Sequence, residues 1–115
     1  MVSGSKYSDE PLIMDIAALN KLFSGKSVYR GPMLLLSAED ALDYIGQALR
    51  ASINVIGLEG FHLLPGGAVQ PDMQLELGLH HCQDKAELRT RITGLLNSWR
   101  NDGTVAFEVY LEEQS

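Results

Sequence analysis

Ile53-Asn54-Val55-Ile56-Gly57-Leu58-Glu59-Gly60-Phe61-His62-Leu63-Leu64, then Pro65-Gly66-Gly67, then Met73-Gln74-Leu75-Glu76-Leu77-Gly78-Leu79-His80, is the stretch that decides the fold. Its first run is apolar at both parities, with Ile53, Val55, Phe61 and Leu63 on one and Ile56, Leu58 and Leu64 on the other. A strand apolar on both sides is a covered, central one. The proline and two glycines supply turn chemistry. Beyond them Met73, Leu75, Leu77 and Leu79 alternate with Gln74, Glu76, Gly78 and His80, which predicts one buried and one wet face. The two runs are expected to pair as an antiparallel hairpin.

Outward from the hairpin, helical spacing appears on both sides. Ser37 is a candidate cap, Glu39 and Asp40 put negative charge in the first turn, and Ala41, Leu42, Ile45, Ala48 and Leu49 form one apolar stripe. Asp84 with Glu87 three residues on has capping-box spacing, and Leu88, Ile92, Leu95, Leu96 and Trp99 follow at helical period until Asn101-Asp102-Gly103. An earlier helix is expected from Asp9-Glu10-Pro11, carrying Leu12, Ile16, Leu19 and Phe23 and stopping at Gly25. Val28-Tyr29 and Met33 to Leu36 read as extended chain broken at Gly31-Pro32, and Val105 to Glu112 as a last strand. The expected order is helix, strand, helix, hairpin, helix, strand. It gives an α/β-type (α+β) domain, a largely antiparallel sheet of three or four strands packed with helices.

The chain has 115 residues, enough for one domain (1–115) with its own core, and residues 1–8 are polar and expected to fray. A single cysteine, Cys82, allows no internal disulfide. No signal-peptide pattern and no apolar run approaching the ~20 residues of a bilayer span is visible, so a soluble, cytoplasmic protein with no membrane partner is expected. With 15 acidic against 9 basic residues the net charge is -6, and the scattered Lys and Arg argue against nucleic acid as partner.

The search for catalytic chemistry finds little. The glycines at 57, 60, 66 and 67 lack phosphate-loop spacing and a lysine, and no nucleophile elbow exists. His80-His81-Cys82 cannot converge on one metal from a single strand, because neighbours point to opposite faces. No catalytic residue, metal or cofactor is assigned. Glu59, within an apolar strand, reads either as a cleft acid or as a carboxylate holding backbone groups at a strand bend. Asp40, Asp43, Tyr44 and Gln47 fall in one row of the second helix. They read either as an acidic docking face with an aromatic anchor or as a solvated face whose tyrosine leans on the core.

Val55-Ile56-Gly57-Leu58-Glu59-Gly60-Phe61, followed after a loop by Val69-Gln70-Pro71-Asp72-Met73, is similar to a pattern in small bacterial immunity proteins of polymorphic-toxin and contact-dependent inhibition systems. The resemblance covers these two segments and implies a cytosolic protein that binds and neutralises a cognate toxin domain. Asp40, Asp43, Tyr44, Gln47 and Glu59 are the candidate contact residues. Two other readings stay open: a homo-oligomeric structural or regulatory module, pairing as a homodimer through the apolar strands, and a small metal-dependent hydrolase using Glu59, His62, His80 and Cys82.

Overall fold

The computed structural model describes residues 13–80, 82 and 84–113. The run of glycines and aliphatics becomes strand β1, Ile53–Leu63. It is the middle strand of a three-stranded antiparallel sheet, with β2 (Val69–Gly78) on one side and β3 (Val105–Glu113) on the other. Pro65–Gly67 closes the β1–β2 hairpin, and Gly66 and Gly67 take positive φ there, which other residues adopt only at a cost. Among the described residues three α-helices complete an α+β fold: α1, Ile16–Phe23; α2, Ala38–Arg50; and α3, Lys85–Ser98.

Two irregularities on β1 shape everything near it. Against β3 the register slips between Val55 and Gly57. That bulge resets the period of two, so Ile53, Val55 and Leu58 all reach the same core. Against β2 the register passes from Leu58↔Leu77 to Gly60↔Asp72, leaving the four residues Met73–Glu76 opposite Glu59 alone. The outer strand therefore balloons. Leu75 folds inward over Gly60, where a Cβ would lie 2.5 Å from the Leu75 Cβ, while Met73 is 84% exposed. The strict alternation expected for Met73 to His80 is thus corrected: Leu75 and Gly78 are buried, Leu77 is half-buried and Met73 faces solvent.

The helices are capped as their residue types dictate. Ser37 Oγ accepts from Asp40 N at 3.2 Å, and Asp84 Oδ1 accepts from Ala86 N at 2.9 Å. α1 opens at Asp15, whose Oδ1 accepts from Ala18 N. The cap expected at Asp9 lies outside the described residues, but Ile13 and Met14 are not helical, so the helix starts later than expected. Leu19 and Phe23 of α1, Ala41, Ile45 and Ala48 of α2, and Leu88, Ile92 and Leu96 of α3 bury one joint core against Leu58 and Phe107. Each large side chain so buried is worth roughly 1.5–3 kcal/mol of transfer free energy.

Among the described residues the other face of the sheet is covered at one end. There Leu35, Phe61 and Ala106 form a second, small cluster, with Tyr29 and Met33 packed on it. The strand expected at Met33 to Leu36 reduces to a single bridge, Leu36↔Phe107. The physical reason is local: Pro32 has no N–H, and the Leu35 N–H bonds to Ser27 Oγ at 3.2 Å instead of to a neighbouring strand. No helix among the described residues is long and apolar enough to cross a membrane.

Candidate functional site

Beyond the small cluster the sheet face opposite the helices carries polar side chains. The register sets them in rows. Gly78, Gly57 and Tyr110 are cross-strand neighbours, and Glu59 pairs directly with Glu108 in the next row. Leu58↔Val109 and Gly60↔Phe107, on either side of that pair, point into the helix-side core, so Glu59 and Glu108 point away from it. Like charges directly opposite one another destabilise a sheet. One phenol relieves this: the Tyr110 hydroxyl lies 2.9 Å from both Glu59 Oε1 and Glu108 Oε1 and shares its single proton between them. Burial first and the two carboxylates second hold that proton on well above the usual phenol range. Tyr110 is therefore a neutral donor at any physiological pH, yet its side chain is 41% exposed. Glu112 lies two residues further along β3 and is met by Lys85 Nζ at 3.0 Å.

The α2 row fares differently. Tyr44 is 3% exposed, stands edge-on to Phe23 at 5.2 Å, and donates its hydroxyl to Asn20 Oδ1. Burial, with a smaller push from the Glu108 charge, raises its pKa to about 12. It is a core residue, not an exposed anchor, and this corrects the docking-face reading at that position. Asp40 and Gln47 are half-buried and Asp43 is exposed. Asp40 meets Lys26 Nζ only at 4.0 Å, a surface separation of little energetic weight. The row is thus interrupted at its centre. Glu59 does not join it, since α2 packs on the sheet face from which Glu59 points away. What links them is Glu108, which with Tyr44, Asn20 and Arg30 borders an open cleft of about 640 Å³.

The catalytic alternatives do not assemble. Glu59 takes its hydrogen bond from the Tyr110 phenol rather than from backbone groups at a bend, and His62 projects from the opposite face to Asp72 Oδ2 at 2.8 Å. The Cys82 thiol lies 2.7 Å from Glu87 Oε2, and that carboxylate, with burial, pushes its pKa up, the reverse of an activated nucleophile. Glu87 thereby serves Cys82 rather than closing the expected capping box. Among the described residues no three His, Cys, Asp or Glu side chains gather as a metal site.

Of Glu59, Glu108 and Tyr110, Glu59 alone stands out in the sequence, as a carboxylate within an apolar strand. Glu108 and Tyr110 were readable as outward positions of the last strand. Their meeting with Glu59 needs the cross-sheet register. Comparison with protein-family models, curated proteins and solved structures returned no match.

Proposed function

We propose that this chain is an immunity-type binding protein that neutralises a cognate toxin domain in the cytoplasm by docking it on the open face of the sheet. The observation that carries the reading is the Glu59–Tyr110–Glu108 constellation. It pairs two like charges across a sheet and bridges them with a partly exposed tyrosine, an arrangement that like-charge repulsion alone would disfavour. Such a face suits a partner with a basic cleft, as nucleases have, and the net charge of -6 steers that partner inward. Asp43 and Asp40 at the α2 surface lie outside this face and act at most through long-range attraction.

The test is the association rate and affinity for a captured toxin domain, comparing the parent with the Glu59→Lys/Glu108→Lys double variant and with Asp40→Lys/Asp43→Lys. The reading expects a large loss with the first pair and a small, salt-screened change with the second. Equal effects of the two pairs would remove the sheet face from the contact. Self-association is the alternative, favoured by the exposed Met73 on edge strand β2. The bulge at Met73–Glu76 blunts that edge, as natural sheets do to prevent edge pairing. Sedimentation showing a micromolar dimer would restore it.

A further inference from the structure

Next to the Glu59–Glu108 row the open face holds a notch of about 330 Å³. Its floor is backbone, because Gly57 and Gly78 are register partners and neither has a side chain. Neither glycine is needed for its backbone, since among the described glycines only Gly66 and Gly67 take positive φ. Paired glycines weaken a sheet and mark a close approach to the backbone, here that of the chain's own Tyr110 and His80 rings, which border the notch. Flat rings stand at the two sides. A Cβ on Gly57 would lie 3.4 Å from Tyr110 Cδ2, and one on Gly78 would lie 3.2 Å from the His80 ring. Glu76 lines the notch, and Glu59 and Glu108 are held at the Tyr110 hydroxyl. A carboxylate offers about four acceptor positions, so one phenol leaves most of that capacity to an incoming donor.

We infer that this notch receives one arginine side chain of the partner protein, an inference that rests on the inhibitor reading above and names its central contact. A guanidinium is planar, stacks on aromatic rings and is weakly hydrated, so it suits a notch bordered by Tyr110, His80 and Glu76. Its five N–H donors then meet carboxylates at the rim. A lysine ammonium, compact and strongly hydrated, gains less there.

The test uses the full chain, labelled with ¹⁵N, titrated with acetyl-Gly-Arg-Gly-amide and with the matching citrulline peptide, which keeps shape and loses charge. The arginine peptide is expected to shift the amide signals of Gly57, Gly78 and Tyr110, with the citrulline peptide leaving them in place. Tyr110→Leu is expected to weaken that binding about tenfold, while Tyr110→Phe, which keeps the ring, retains most of it. Equal shifts with citrulline, or shifts spread over all the surface glutamates, would overturn the inference. It separates from the parent reading. A captured toxin domain that tolerates Glu76→Gln and Tyr110→Leu but not Glu59→Lys removes the slot and leaves the inhibitor. Arginine seated in the slot of a chain that captures no toxin removes the inhibitor and leaves the slot.

Discussion

Tyr110 holds one proton between two carboxylates, and the open face depends on it. Phenylalanine at this position keeps the ring and removes the donor, so Glu59 and Glu108 face each other unrelieved. Tyr110→Phe is expected to lower stability by about 1 kcal/mol in urea denaturation. The loss should shrink with added salt, because exposed like charges are screened. An unchanged midpoint at low salt would mean that the phenol bridge contributes nothing. Glu59 stood out in the sequence because it interrupts an apolar run. For Tyr44 the spacing leaves two readings open, and the one in which its ring leans on the core holds because Phe23 arrives from α1, which spacing within α2 does not encode.

Among the elements, β2 departs furthest from its pattern. Its hydrophobic alternation is regular in sequence and broken in space, because four residues bulge opposite Glu59. A period of two cannot reveal an insertion in the partner register. The device depends on Gly60, since Leu75 occupies the space its side chain would take. Gly60→Ala should cost about 2 kcal/mol by overpacking, read from thermal or chemical unfolding. A cost near zero would show that Leu75 can swing out. By contrast Ser37 before α2, Asp84 before α3 and the Pro65-Gly66-Gly67 turn were legible, because each acts through neighbours within a few residues. Met33 to Leu36 looked like a strand from composition alone, yet the Ser27 hydroxyl intercepts its hydrogen bonding.

The far end of the hairpin carries a pH signature. His62 donates to Asp72 at 2.8 Å, and this bond first, with the Gln74 N–H second, holds the Asp72 carboxyl below its usual range. A carboxyl depressed in the folded state adds stability above its unfolded pKa, about 3.9, and that contribution is lost as pH falls through the lower folded value. Asp72→Asn should therefore be less stable than the parent at neutral pH and lose less on acidification below about pH 4. Parallel acid limbs for the two proteins would contradict the assignment.

At the scale of the whole molecule, the described helices bury one face of the sheet, and beyond the Leu35–Phe61–Ala106 cluster the other face carries Glu59, Glu108 and Tyr110. Composition alone announced the acidity, and the fold class followed from patterns local to each element. The location of the site did not, because which face Glu59 points to is set by a bulge and by pairing across three strands. The proposed function requires that this open face hold a toxin domain. Its most direct test is affinity capture of the tagged chain with native mass spectrometry, run in parallel on the parent and on Glu59→Lys/Glu108→Lys. A one-to-one complex with a toxin domain is expected for the parent, lost in the double variant at physiological salt while its fold persists. Recovery of the chain alone from cells expressing the toxin, or a complex indifferent to both substitutions, would contradict it.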